Sequence, residues 1–287
     1  MNNKVIKVAL VGQPNVGKSM LINSISNARL RVGNFSGVTV TKEEVFLDYK
    51  GYKIEITDLP GAYSLNEYTI EEKVEKEFLD NSPYDIILNV LDSTNLERNL
   101  FLTSELLALD KKMIIALNMI DEAQKESIQI DEKQLSKILG KPCLKTSAAK
   151  NIGIDGLIEA IVKKFEEEKL PTKLIFSDVI EEEIENISRF FKDTGFKTNC
   201  TYRELALKLL KEDKQTYKMF HDEPIWVKLQ PILNHAFEHM YIHYNTKNIE
   251  DIFNDEKFAF AKGAVTETTK QKISTAKTLT EKIDSIL

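Results

Sequence analysis

The sequence has no surplus of positive charge, and this limits its functions before any motif is considered. Its 39 Lys and Arg side chains stand against 45 Asp and Glu, which gives a formal net charge of −6, and acidic residues outnumber basic ones in both halves. Proteins that bind the phosphate backbone of nucleic acids need a basic surface. We therefore expect no nucleic acid among the partners.

Cysteines and long apolar runs are also scarce. Cys143 and Cys200 form no CxxC pair, so we expect free thiols in a reducing cytosol. The longest apolar runs, such as residues 86–91, are too short to cross a bilayer, and the first residues show no signal-peptide pattern. With 42% hydrophobic and 29% charged residues over 287 positions, the sequence predicts a soluble, folded protein of two domains.

One motif organises the first half of the sequence. An apolar run at 5–11 leads into a glycine loop that opens an amphipathic segment, and the loop consists of Gly12, Gln13, Pro14, Asn15, Val16, Gly17, Lys18 and Ser19. Strand, glycine loop and helix in this order are typical of a P-loop, whose backbone N–H groups surround phosphate oxygens. Lys18 can then reach the β- and γ-phosphates, and the Ser19 hydroxyl can bind Mg²⁺. We therefore predict a site for a nucleoside phosphate.

A second motif, Asp58-Leu59-Pro60-Gly61, ends a predicted β-hairpin. The hairpin is indicated by two β-rich runs on either side of Gly51. An aspartate at a strand end followed by a glycine turn is the Walker-B arrangement. We expect Asp58 to bind Mg²⁺ through water and Gly61 to offer its N–H to a γ-phosphate.

A third motif indicates which base is bound. Asn118-Met119-Ile120-Asp121 directly follows an apolar run at 113–117. A carboxylate at Asp121 can accept hydrogen bonds from both the N1–H and the exocyclic amine of guanine, whereas adenine presents no such pair of donors. A later strand is predicted to end in Thr146, Ser147 and Ala148, whose backbone would contact the guanine O6. The alternative interpretation is an ordinary turn at a strand end.

The order of these patterns predicts the fold. Strand and helix patterns alternate over residues 1–170, which favours an α/β fold with a mostly parallel sheet and helices on both faces. Such sheets bind ligands at the carboxyl ends of their strands, where the three motifs fall. Residues 28–40 are rich in Gly, Asn and Ser and predict a mobile loop. The remaining residues predict an all-α bundle without strands, with helices at 179–191, 202–211, 226–243 and 266–286.

In this order the motifs resemble those of a small GTPase of the translation-factor-related class. Residues 34–40 and 116–123 are similar to the switch I and base-recognition segments of FeoB-type ferrous iron transporters, and residues 202–210 and 258–260 resemble parts of that family's helical domain. The resemblance implies a P-loop GTPase (G) domain at residues 1–170 and a helical domain at residues 171–287 that resembles a GDP-dissociation inhibitor.

The resemblance also implies cofactors and residue roles. Thr39, preceded by Gly37 and Val38, would bind Mg²⁺ beside Ser19 when GTP is present. Asn15 would hold K⁺ against the phosphates, and carbonyls near Gly33 and Phe35 would complete this ion's ligands. The K⁺ would take the place of the arginine finger of other GTPases. The residues expected to act in hydrolysis are thus Asn15, Lys18, Thr39 and Gly61.

The function implied by this resemblance is a K⁺-stimulated GTPase that binds GTP and GDP and couples its nucleotide state to Fe²⁺ uptake. The expected partners are guanine nucleotide, the transporter's own transmembrane region, small accessory iron-transport proteins and further copies of the chain. The expected location is the cytoplasmic face of the bacterial inner membrane.

Three residues depart from common GTPase patterns. Ala62 stands where many GTPases have a glutamine that orients water, so we expect slow turnover. Met119 stands where a lysine often covers the guanine ring, which favours quick GDP release. Ser36 replaces a proline that the FeoB family often shows, which leaves the stiffness of that loop open.

Two other functions and one further site compete with this interpretation. A GTPase of the translation-factor class in ribosome assembly would carry a basic RNA-binding domain, and a P-loop ATPase or small-molecule kinase would not need the motif at 118–121.

His235, His239 and His243 recur every fourth residue on a predicted helix. Adjacent pairs at this spacing can chelate a divalent ion, but we expect the stripe to be structural.

Overall fold

The structure is a computed structural model that describes residues 4–25, 29–35, 40–65, 68–109, 111–168, 175–221 and 223–271. Its strands are β1 (Lys4–Val11), β2 (Arg29–Asn34), β3 (Thr41–Tyr49), β4 (Tyr52–Asp58), β5 (Ile86–Asp92), β6 (Met113–Asn118), β7 (Ile128–Ile130), β8 (Cys143–Lys145) and β9 (Thr269–Gln271). Its helices are α1 (Lys18–Asn23), α2 (Ile70–Asn81), α3 (Leu96–Leu107), α4 (Ile120–Lys125), α5 (Glu132–Leu139), α6 (Ile154–Glu166), α7 (Asp178–Thr194), α8 (Tyr202–Leu210), α9 (Lys214–His221), α10 (Trp226–Tyr244) and α11 (Ile249–Thr268).

A seven-stranded sheet forms the centre of the first part, in the order β2-β3-β4-β1-β5-β6-β8. Strands β4, β1, β5, β6 and β8 pair in parallel, and the antiparallel strands β2 and β3 lie at one edge. Every side chain of β6 is buried, as expected for a parallel strand with both faces covered. The predicted α/β fold is confirmed.

The alternating side chains of β1 show how the two faces are filled. Ile6, Val8 and Leu10 join one apolar cluster, while Ala9 and Val11 join the other, because successive residues of a strand point to opposite faces. Helices cover both faces of the sheet and leave the carboxyl ends of the strands free for the loops that carry the three motifs.

The predicted hairpin is present as β3 and β4. Lys50 and Gly51 connect these strands with φ angles of 46° and 84°, which is the left-handed pair required by a tight type I′ turn. The predicted loop at 28–40 is wrong in part, because Arg29–Asn34 forms the edge strand β2 beside β3. Pairing with a distant strand outweighs a local composition that favours a loop.

The second part is helical, from α7 to α11, and confirms the predicted all-α bundle. Helix α9 lies in a stretch for which no helix was predicted. Gly263 lies inside α11 and not between two helices, and residues 266–268 end that helix. The predicted helix at 266–286 is therefore wrong at its start, and its residues beyond 271 lie outside the described part.

The end of α11 joins the two parts of the chain. Strand β9, which follows α11, pairs with β7 of the first part, and α11 packs against α3 and α5. The sequence predicted no strands in the helical part, and strand β9 contradicts this detail. The predicted boundary between residues 170 and 171 falls outside the described residues and stays a prediction. Within the described residues no helix is long and apolar enough to span a membrane.

Candidate nucleotide-binding site

The P-loop lies at the carboxyl end of β1 and runs into α1. Two of its glycines are required by close approaches: a β-carbon on Gly12 would lie 2.5 Å from the carbonyl oxygen of Val90, and one on Gly17 would lie 2.6 Å from the side-chain nitrogen of Asn118. Gly17 also has a φ of 88°, which favours glycine. The loop is therefore held tightly against β5 and the third motif.

Lys18 lies within the loop that it was predicted to serve. Its Nζ donates a hydrogen bond to the carbonyl of Gly12 at 2.8 Å, and its side chain is buried. Burial lowers the pKa of Lys18, and the negative charges of Asp58 and Glu75 oppose this effect. The amine is thus surrounded by the phosphate loop and two carboxyl groups, a place suited to a phosphate contact.

Asp58 ends β4 beside this lysine. Its Oδ1 is buried and has no hydrogen-bond partner among the described residues, and burial raises the pKa of Asp58 to about 6, while Lys18 acts in the opposite direction. A buried carboxylate oxygen that lacks a donor fits the outer ligand sphere of a hydrated Mg²⁺. Ser19, the other described residue predicted to bind Mg²⁺, lies exposed in the first turn of α1.

Gly61 lies directly against the P-loop. A β-carbon at this position would lie 3.0 Å from Pro14 and 3.1 Å from Nζ of Lys18, so glycine permits the two predicted phosphate-binding segments to touch. Leu59, between Asp58 and Pro60, is buried in the core and anchors this turn to the sheet. Ala62 is buried as well and brings no polar side chain to the site.

Asn118 connects the base-recognition motif to two other segments. Its Nδ2 donates to the carbonyl of Val16 at 2.9 Å, and its Oδ1 accepts from the backbone N–H of Ala148 at 3.1 Å and from the hydroxyl of Thr146 at 3.3 Å. The side chain is almost fully buried. A single amide therefore holds the P-loop and the segment 146–148 together.

Asp121 is the residue predicted to accept hydrogen bonds from guanine. It lies in the first turn of α4, after Met119, which adopts a left-handed φ of 59°. A hydrogen bond from the Ser147 side chain lowers the pKa of Asp121, and the positive charge of Lys150 acts in the same direction. The carboxylate therefore stays ionised at neutral pH, as guanine recognition requires.

The residues predicted to hold K⁺ lie in two places. Asn15 is exposed on the P-loop with a φ of 67°. Gly33 belongs to β2, and Phe35, directly after it, donates its N–H to the carbonyl of Val40 at 3.0 Å. The K⁺ site stays a prediction. Gly37, Val38 and Thr39 lie outside the described residues, so the predicted Mg²⁺ role of Thr39 stays a prediction too.

Several contacts at the site were not expected from the sequence. Gln13 is buried, and its amide donates to the carbonyl of Arg98 in α3 at 2.7 Å. Glu75 in α2 is fully buried near Lys18, and within the part of the chain that the structure describes neither of its carboxylate oxygens has a hydrogen-bond partner. Gln13 belongs to the P-loop motif, but Arg98 and Glu75 stand in no motif, so only the fold reveals these contacts.

The histidine stripe has a structural role for its middle member. Nδ1 of His239 lies 2.6 Å from Oε1 of the buried Glu183, which joins α10 to α7. In the part of the chain that the structure describes, no group of three His, Cys, Asp or Glu side chains could hold a metal ion. The contact with Glu183 supports a structural role for His239.

Two models of known protein families match this chain. A family model for ferrous iron transport protein B matches residues 6–161, and one for the FeoB cytosolic helical domain matches residues 176–270. The chain belongs to the FeoB family. It consists of a FeoB G domain with the P-loop GTPase fold and a FeoB helical domain, as the resemblance implied.

Relatives and solved structures agree with this assignment. The chain is 46% identical to the Fe(2+) transporter FeoB of Helicobacter pylori over 241 residues, which cover 81% of the chain and 34% of the relative. It is 35% identical over 292 residues to a Fe(2+) transport protein A/FeoB fusion protein of Porphyromonas gingivalis, covering 100% of the chain and 35% of the relative. The chain thus spans about a third of the length of these curated FeoB relatives.

Two crystal structures are similar over nearly their whole length. A mutant of S. thermophilus NFeoB bound to GDP has a TM-score of 0.81 at 32% identity and covers 92% of this chain and 100% of its own. The cytosolic domain of T. maritima FeoB in its GMPPNP form has a TM-score of 0.77 at 33% identity, with 93% and 100% covered. These FeoB relatives bind guanine nucleotides in the fold described here.

Proposed function

We propose that this chain binds and hydrolyses GTP as the regulatory part of a ferrous iron transporter. The observation that carries the proposal is the bridge made by Asn118, which holds the P-loop and the Asp121 turn together as one site for phosphate and base. The GDP and GMPPNP forms of FeoB relatives support it. The helical family model over 176–270 leaves no room there for the RNA-binding domain that a ribosome-assembly GTPase would carry.

Different residues at the site bind the phosphates and the base. Backbone N–H groups from Gly12 to Ser19 surround the phosphates, and Lys18 exchanges its bond to Gly12 for a bond to the β- and γ-phosphates. Asp121 accepts from guanine, while Thr146, Ser147 and Ala148 contact its O6 edge. Asn118 holds these segments at a fixed spacing.

Hydrolysis depends on backbone groups and ions because Ala62 supplies no side-chain base. Ser19, Thr39 and Asp58 would hold Mg²⁺, which would supply positive charge against the phosphates. Asn15 and carbonyls near Gly33 and Phe35 would hold K⁺, which supplies positive charge where other GTPases place an arginine. Gly61, in contact with Lys18, directs its N–H towards the γ-phosphate. We infer a slow intrinsic rate that K⁺ raises.

The wider role follows from the family. Residues 1–170 act as the G domain, and residues 171–287 slow the loss of GDP and pass the nucleotide state to the transporter's transmembrane region at the cytoplasmic face of the bacterial inner membrane. The fusion of transport protein A to FeoB in one relative supports small accessory iron-transport proteins as partners. Self-association of the chain is a further part of the proposal.

Calorimetry with purified protein, Mg²⁺ and K⁺ tests the nucleotide site. GDP and GTP should bind, ADP and ATP should not compete, and released phosphate should accumulate slowly with GTP. Lys18→Ala should weaken binding of both guanine nucleotides by about ten-fold or more because it deletes a charge-assisted phosphate contact. The exposed Lys133→Ala is the matched control. Absence of heat with either guanine nucleotide would refute the proposal.

A further inference from the structure

Glu105 of α3 joins the segment after Gly61 to the helical part of the chain. Its Oε2 accepts the backbone N–H of Leu65 at 2.6 Å, and its Oε1 accepts from Nζ of Lys257 in α11 at 2.5 Å. One oxygen of this carboxylate therefore contacts the segment after Gly61, and the other contacts the helical part.

Both members of this ion pair are removed from solvent. The side chains of Glu105 and Lys257 are 6% and 7% exposed. The ammonium of Lys257 also lies 5.0 Å from the ring centre of Phe101, and Phe101 packs against Phe258 with ring centres 4.8 Å apart. Removing one partner of such a pair leaves the other charge buried and uncompensated, which is far more costly than loss of a surface ion pair.

A second contact joins the same two regions. The hydroxyl of Tyr68 donates to a carboxylate oxygen of Glu250 in α11. Nearby, Glu72 accepts from the Ser64 hydroxyl at 3.1 Å and from the N–H of Tyr68 at 3.0 Å. The segment from 64 to 68 is thus held at several points along its described residues, and two of these points lead to α11.

The neighbouring charges explain why Lys257 matters. The buried Glu75 lies near Glu105, neither of its oxygens has a hydrogen-bond partner in the described segments, and burial raises its pKa. Without the ammonium of Lys257, the charge of Glu105 would be left unpaired in this poorly solvated space. Glu105 would then turn towards water, and its bond to Leu65 would weaken.

We propose that Glu105, neutralised by Lys257, is a positioning residue that holds segment 62–65 so that Gly61 stays beside the P-loop. This inference rests on the proposed GTP-binding function, and it names the contact through which the helical part affects nucleotide binding. Only GTP places a γ-phosphate at Gly61, so loosening the segment weakens GTP binding more than GDP binding. Helix α11 thereby sets the preference between the two nucleotides.

The test compares affinities for GMPPNP and GDP, measured by calorimetry on the whole chain. Lys257→Met keeps the aliphatic stem and removes the charge, and should lower GMPPNP affinity relative to GDP by about five-fold. Adding Glu105→Gln should restore the ratio to near wild type, because the glutamine oxygen still accepts from Leu65 and no unpaired charge remains. Glu105→Ala should lower the ratio of GMPPNP to GDP affinity both with Lys257 present and in the Lys257→Met background.

The exposed Lys262→Met on the same helix is the matched control and should leave the ratio unchanged. If Lys257→Met does not fold, Glu105→Gln and Glu105→Ala are compared in the Lys257→Met background, where neither leaves an unpaired charge: a lower ratio in the alanine variant alone supports the proposal, and equal ratios overturn it. A wild-type chain that binds both nucleotides, with equal ratios in all variants, refutes the positioning role alone. A wild-type chain that binds neither refutes the proposed function as well.

Discussion

The side-chain amide of Asn118 donates to the carbonyl of Val16 at 2.9 Å, so the base-recognition motif and the P-loop are joined directly. The same side chain accepts from Ala148 and Thr146. The segments proposed to bind phosphate and base are therefore held together by one buried residue that touches both.

Asn118→Ala should weaken GDP binding and lower stability together. The substitution leaves the carbonyl of Val16 and the N–H of Ala148 without their partner, and each such buried group costs about 1–3 kcal/mol. Calorimetry and urea unfolding measure the two effects. Thr201→Ala, which removes the N-cap of α8 at a cost of about 1 kcal/mol, is the control: it should lower stability and leave GDP affinity unchanged. Unaltered GDP affinity in Asn118→Ala would contradict the bridging role.

Asp121→Asn should shift the base preference from guanine to xanthine. In the proposed site the carboxylate accepts from two guanine donors, whereas an asparagine amide can donate to the additional carbonyl of xanthine. Competition between GDP and xanthosine diphosphate on the same protein measures the shift. Asp131→Asn is the matched control, because Asp131 caps α5 through the N–H of Gln134. Retained guanine preference in Asp121→Asn would contradict the base assignment.

The sequence reveals the parts of the fold and site that rest on local patterns. The P-loop, the hairpin turn at Lys50-Gly51 and the motif at Asn118 combine turn residues with an apolar run, and each lies at the end of a strand, as predicted. These features need only neighbouring residues to be recognised. Parallel strands then bring the motifs to one edge of the sheet.

The features that the sequence does not reveal depend on contacts between distant residues. Strand β2 exists because β3 offers hydrogen bonds, and β9 exists because β7 does. Gly263 suggests a break by composition, yet α11 continues through it, because a glycine inside a helix costs only about 1 kcal/mol. The ion pair of Glu105 with Lys257 spans 152 positions and leaves no local trace.

Asn15→Ala should remove any excess of the GTP hydrolysis rate in K⁺ over that in Na⁺. The side-chain oxygen of Asn15 is the proposed K⁺ ligand on the P-loop, and Na⁺ is too small to span the same ligands. Phosphate release at matched ionic strength measures the rates. Because Asn15 has a φ of 67°, alanine also introduces backbone strain there.

Asn15→Gly separates the two causes, since glycine adopts this φ without strain. If both variants lose the K⁺ excess, the side chain is responsible. A glycine variant that keeps the excess while the alanine variant loses it would assign the effect to the backbone and end the proposed role.

Lys211→Met should make the protein more stable at pH 7. Lys211 follows α8, and its ammonium lies 5.2 Å from the ring centre of Phe253. Burial lowers the pKa of Lys211 to about 8, and the positive charge of Lys257 acts in the same direction. The folded protein therefore binds fewer protons than the unfolded chain between about pH 8 and the ordinary lysine pKa near 10.5, and stability rises with pH across this window.

Below pH 8 the charged amine opposes folding, so the methionine variant should exceed wild type by about 2 kcal/mol in free energy of unfolding at pH 7. The difference should shrink by pH 10, where the wild-type amine is neutral in the folded state. Urea unfolding of both proteins from pH 7 to pH 10 measures this, with the exposed Lys218→Met as the matched control. A difference that stays constant with pH would mean that the ammonium is solvated in the folded protein, and that the burial of charge around Lys257 is less complete than the geometry indicates.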